Sequence, residues 1–114
     1  MGDLSPHFSA IEFRSKRDGA SHPISPALLT VLERIRALDG RPLRIVSGYR
    51  SPAANRAAGG ATRSQHLYGR AADIPAGRAT VRQAETAGAV GIGERDGWAV
   101  HVDVRPGPPA RWRY

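Results

Sequence analysis

No cysteine occurs among the 114 residues of the chain. This absence narrows how so short a polypeptide can be held in one shape. A disulfide framework, a thiolate metal site and a cysteine nucleophile are all excluded. What remains is a hydrophobic core, or a metal bound through histidine and carboxylate. Residues 1–114 are expected to form a single domain, since domains most often run to about 100–150 residues. An apolar share of 40% and a charged share of 24% are globular values, so a wholly disordered chain is not expected. No apolar run approaches the roughly 20 residues that span a bilayer, so membrane insertion is not expected. The opening Met1-Gly2-Asp3-Leu4-Ser5-Pro6 shows neither the basic start nor the apolar stretch of a secretory signal.

The formal charge is +7, which would suit a polyanionic partner such as nucleic acid or an anionic cell wall. The basic residues are almost all arginine and are scattered from Arg14 to Arg113 without a long run. Compositional bias explains that pattern as well as ligand selection does, so no specific nucleic-acid binding is expected.

Ser9-Ala10-Ile11-Glu12 fits a capping box and predicts a short helix start. Ser25-Pro26 is a second start, followed by Leu28, Leu29, Leu32, Ile35 and Leu38 at helical spacing, with Gly40 and Pro42 as the stop. Leu43 to Ser47 is predicted as a buried strand, and Ser51-Pro52 opens a short helix to about Ala58. Ala61 to Gly69 is predicted as loop, Ala71 to Ile74 as a strand and Thr80 to Gly88 as a helix. Trp98 to Val104 alternates, with Trp98, Val100, Val102 and Val104 on one face and Ala99, His101 and Asp103 on the other. Gly107 to Arg113 is expected as an irregular tail. The sum is an α+β domain with a small antiparallel sheet and flanking helices.

His66 and Asp73 flank a Gly-containing stretch of small residues, Gly69, Ala71 and Ala72, and can point from loop and strand at one ion. His101, on the polar face of the last strand, can supply a third ligand. Two imidazoles and a carboxylate make a normal catalytic zinc shell with a fourth position for water. Spacing alone leaves the alternative of unrelated surface or core histidines near an aspartate.

Ser64 to Asp73 resembles the S-x-H-x-x-G-x-A-x-D signature of the M15 family of zinc peptidases, the D-Ala-D-Ala carboxypeptidases and related murein peptidases. Ser47-Gly48-Tyr49-Arg50-Ser51 is similar to the family's S-G-Y-R-S turn, with Asn55 at the usual place after it. His101-Val102-Asp103 and Arg111-Trp112 resemble the ending of the murein endopeptidase branch, and Pro6 to Phe13 resembles its start. The resemblance implies a hedgehog/D-Ala-D-Ala-peptidase-like fold and one Zn2+ per chain held by His66, Asp73 and His101. It also implies Arg50 as the group that stabilises the transition state, with a structural salt bridge as the alternative. Ser64 is implied as a contact to substrate backbone or as a brace of its loop, with Gln65 and Tyr68 lining the cleft.

The resemblance is incomplete at the general base. Many members carry Glu three residues before the last ligand, or His two before it, and this chain has Trp98 and Ala99 there. Asp103 is the favoured replacement, since i and i+2 share a strand face about 7 Å apart. Its alternative is to orient a ligand histidine. Glu94 and Asp96 are weaker candidates, expected in a loop. His7 and His22 match no ligand position, and Trp98, Trp112 and Phe13 are expected as packing residues.

These expectations converge on a monomeric zinc peptidase that cuts stem or cross-link peptides of bacterial peptidoglycan, as an endopeptidase in preference to a D-Ala-D-Ala carboxypeptidase. A non-catalytic zinc-bearing wall-binding module is the third reading. An extracellular substrate without a visible signal suggests phage-mediated release, a larger assembly or a trimmed chain.

Overall fold

Ser25-Pro26 does start the longest helix, α1 (Pro26–Asp39), and Gly40 ends it in the left-handed conformation, its N–H bonded to the Arg36 carbonyl at 2.8 Å. The structure, a computed structural model, describes residues 2–114. Leu28, Leu29, Val31, Leu32 and Ile35 are buried along one face of α1. Leu38, expected in the same stripe, is half exposed, because the last turn runs past the edge of the core. Two further helices follow from hydroxyl caps. Ser51 Oγ accepts from Ala54 N at the start of α2 (Pro52–Ala57), and Thr80 Oγ1 accepts from Gln83 N at the start of α3 (Val81–Ala87). At Ser9 the predicted start is a 3-10 turn, Ala10–Phe13, with the Glu12 carboxylate accepting Ser9 N–H at 2.6 Å.

The strands are β1 (Ala71–Asp73), β2 (Gly91–Arg95), β3 (Trp98–Asp103) and β4 (Ala110–Arg113), in the sheet order β1-β3-β2-β4. The α+β expectation stands, but the sheet is mixed. β1 and β2 flank β3 antiparallel, and β4 runs parallel to β2. Three expectations change here. The predicted tail contains β4, and Glu94 belongs to β2 rather than to a loop. Leu43 to Ser47 is not a full strand: it meets β1 through a single bridge, Ser47 to Asp73, although Leu43 and Ile45 are buried.

The alternation along β3 also breaks. Gly93 pairs with His101 and Glu94 with Ala99, so Val100 is an extra residue in its strand. The bulge switches the faces, leaving Trp98 exposed while Ala99 and Val102 both join the core. That core lies between the sheet and α1 and α3, with Phe8, Phe13, Leu32, Ile35, Ile92 and Val102 among its fully enclosed side chains.

Candidate metal centre

The sheet register places two of the expected ligands side by side. Asp73 on β1 is directly opposite His101 on β3, which pairs in turn with Gly93 on β2, which pairs with Trp112 on β4. These four residues form one row across the sheet. Gly93 has to lack a side chain, since a Cβ there would stand 2.6 Å from Trp112 Nε1 and 2.7 Å from the Tyr114 ring. Trp112 thereby leans across the gap to meet His101, their ring centroids 4.9 Å apart.

The third expected ligand comes from the 3-10 turn Gln65–Tyr68, which Ser64 starts by accepting His66 N–H on its hydroxyl at 3.3 Å. His66 Nδ1 lies 2.7 Å from the Gly48 carbonyl, which can only accept, so Nδ1 carries the proton and Nε2 is free to bind a metal. Gly48 is required for this approach, as a Cβ would press on the Phe13 backbone at 2.8 Å. The neighbouring Arg50 N–H donates to the His66 carbonyl at 3.1 Å. The Ser47-to-Ser51 stretch thus holds the histidine turn by its main chain.

His66, Asp73 and His101 present one ligand atom each within 4.8 Å of one another. Asp73 Oδ1 is 3.3 Å from His66 Nε2 and 3.2 Å from His101 Nδ1. A tetrahedral zinc with bonds of about 2.0–2.1 Å has edges of roughly 3.3–3.4 Å, so both separations suit a shared ion. Both imidazoles are almost fully buried, and their far nitrogens are already engaged, which fixes ring orientation before any metal arrives. The residues present fit the metal that the sequence implies.

Behind His101 lies Asp103, whose side chain is 0% exposed. Its carboxylate accepts five hydrogen bonds: from His101 Nε2, Gly91 N, Arg105 N, Arg105 Nε and an Arg105 terminal nitrogen. Asp103 and His101 do share a strand face, as expected, but Asp103 does not line the cleft, and the ring of His101 separates it from Asp73. Glu94 is paired with Arg113 at 2.8 Å, and Asp96 sits at positive φ in the turn before β3. Neither reaches the ligand cluster.

Charge is balanced tightly around the three groups. Burial pushes the Asp73 carboxyl up, but hydrogen bonds and charge from His101 and His66 outweigh it and hold the group well below the usual range. Burial likewise opposes charge on His101, and the bonds to Asp103 and Asp73 outweigh it, raising its pKa. Arg50 donates to Asp73 Oδ2 at 3.1 Å, fixing the carboxylate from its other oxygen.

Two depressions meet at this cluster. One is lined by His66, His101, Ser64, Gln65 and Trp112, and the other by Asp73, Ile74, Pro75 and Val100. They share Arg50 and Tyr114 as common walls. Of the expected substrate contacts, Ser64 and Gln65 line the first depression. Tyr68 does not: it lies outside both and is 45% exposed, with the Arg70 guanidinium over its ring. His7 and His22 lie elsewhere, against Glu33 and Tyr49.

Sequence reasoning missed Arg105, Tyr114 and the part played by Trp112. The two glycines of Gly91-Ile92-Gly93 were the available signal, because alternate glycines in a strand leave one face open for neighbours to cross.

A family model described as Peptidase M15 matches residues 6–103, a span that contains all three ligand candidates and Arg50. A comparison with curated proteins finds no match.

Proposed function

The chain belongs to the peptidase M15 family, and from that membership we propose that it is a zinc-dependent endopeptidase acting on stem or cross-link peptides of bacterial peptidoglycan at the cell wall. The observation that carries the endopeptidase form is the cleft that continues on both sides of the His66, Asp73 and His101 cluster. A peptide can extend past the metal in either direction, whereas a carboxypeptidase needs one end closed around a terminal carboxylate.

In this reading His66, Asp73 and His101 would hold the ion, His66 through Nε2 and His101 through Nδ1, the nitrogens not engaged elsewhere. Zinc bound there would supply Lewis-acid polarisation of the scissile carbonyl and an acidified water. Arg50, while anchored on Asp73, keeps further N–H donors on the cleft wall that can meet a developing oxyanion. Ser64 caps the histidine turn and stands where a substrate backbone would pass. Asp103 has the place of an orienting group for His101 and not of the base first expected, since every approach to its carboxylate is already taken.

A non-catalytic zinc-bearing wall-binding module is favoured by one observation. Apart from the ligands themselves, no carboxylate or imidazole lines either depression among the described residues. Incubating the zinc-loaded chain with cross-linked stem-peptide dimers and with monomers, then separating the products, decides between the readings. Monomers released from dimers support the endopeptidase. Loss of a terminal residue from monomers points to the carboxypeptidase. Binding without product supports the module.

A further inference from the structure

Four arginines reach the walls of the two depressions: Arg50, Arg63 and Arg105 on the histidine side, with Arg50 shared and Arg95 on the Asp73 side. Two are already committed. Arg50 holds Asp73, and Arg105 chelates Asp103 through two of its nitrogens. Arg63 and Arg95 are exposed and have no carboxylate partner among the described residues. Arg63 lines the depression that holds His66 and His101, and Arg95 the one that holds Asp73.

A basic lining is not confined to the cleft, since the depression against α2 carries Lys16 and Arg17 with no acid, but two other depressions are balanced. The depression beside α3 pairs its arginines with acids, Arg111 with Glu85 and Arg113 with Glu94. The groove against the N-terminal segment contains Glu33. In the cleft, among the described residues, the one side-chain carboxylate on the walls is the ligand Asp73. Arg95 packs on the cleft wall, its guanidinium carbon 5.6 Å from the centroid of the Tyr114 ring that lines both depressions. Both guanidinium groups are hydrated when free, and a peptide carrying two carboxylates could replace that water with a charge-assisted pair at each.

Resting on the peptidase reading, we infer that the cleft selects peptides with a free carboxylate on each side of the hydrolysed bond, and that Arg63 and Arg95 are the residues that read them. Each contact is exposed, so each contributes a modest preference, and the two act together because they lie on one bound chain.

The test uses the zinc-loaded full chain and two cross-linked stem-peptide dimers, identical except that the carboxylates flanking the scissile bond are free in one and carboxamides in the other. Binding is measured by calorimetry at low salt, and product formation is followed separately. The free acid is expected to bind roughly four- to twenty-five-fold more tightly, from about two- to five-fold per arginine. Arg63→Ala and Arg95→Ala should each narrow that ratio, and the double variant should bring it to about one. Equal binding of the two dimers, no binding of the acid, or an unchanged ratio in the double variant overturns the inference. Selective binding through both arginines without any product would leave charge selection standing and defeat the peptidase reading. Cleavage of both dimers with no difference in binding would do the reverse.

Discussion

Asp103 stands directly behind His101, its Oδ2 accepting the ring Nε2–H at 2.8 Å, so that Nδ1 on the opposite edge faces Asp73 Oδ1 at 3.2 Å. Arg105 closes the line by donating to both oxygens of Asp103 at 3.0 and 2.7 Å. One ligand is therefore oriented by a buried carboxylate with a partly exposed arginine behind it, rather than by the chain alone.

Asp103→Asn should weaken zinc binding by about 10–100-fold, the usual cost of losing an outer partner of a ligand histidine. It should also lower stability by about 1–3 kcal/mol, because the buried carboxylate loses its charge-assisted hydrogen bonds to His101 and Arg105. Competition against a chromophoric chelator reads the first effect and chemical denaturation the second. Unchanged zinc affinity would show that His101 needs no such support.

Gly93→Ala should damage the site without touching a ligand. The added methyl meets Trp112 and Tyr114, and overpacking of this kind costs about 1–3 kcal/mol. The indole should move off His101, visible as a shift in tryptophan emission. Combining the change with Trp112→Ala should recover part of the lost stability.

Removal of metal should lower the melting temperature, since an ion that binds only the folded chain stabilises it by about 4 kcal/mol when present at a thousand times its dissociation constant. Elemental analysis of the purified chain should find one zinc, and His66→Ala or His101→Ala should abolish both the zinc and the shift. Equal melting with and without bound zinc would separate the metal from folding.

Acid should release the N-terminal segment first. Glu33 accepts from Ser5 Oγ, His7 N and His7 Nδ1 at 2.7–2.8 Å. Burial pushes its carboxyl up, but these bonds and the His7 charge outweigh it, so the folded pKa lies below the ordinary glutamate value. Its contribution is therefore complete above that ordinary value, about 4.3, and fades as pH falls through the folded value. Hydrogen exchange at Leu4, Ser5 and Phe8 should accelerate below roughly pH 4, ahead of α1. Glu33→Gln should produce the same local acceleration at neutral pH.

Much of this molecule was legible before any coordinates, for identifiable reasons. The hydroxyl-and-proline pairs at Ser25-Pro26 and Ser51-Pro52 act on the next few residues only, so they predict α1 and α2 closely. The ten residues from Ser64 to Asp73 place a histidine turn against a short strand, and that local spacing was enough to nominate His66 and Asp73. With no cysteine available, any zinc had to be sought among histidine and carboxylate.

What escaped the sequence depends on partners far along the chain. β4 forms because β2 offers it a parallel edge, and a four-residue stretch has no intrinsic signal for that. The extra residue at Val100 turns the faces of β3, which strict alternation could not foresee. Asp103 looked like a base because it is two residues from a ligand. Burial against Gly91 and Arg105 gives it the surroundings of an orienting group instead. The sequence by itself determined the helix starts and which side chains could bind a metal, because those follow from residue chemistry and near neighbours. Only the tertiary structure decided which nitrogen of each histidine faces the ion, what stands behind it and where the cleft is open, because these are set by contacts between strands distant in the chain.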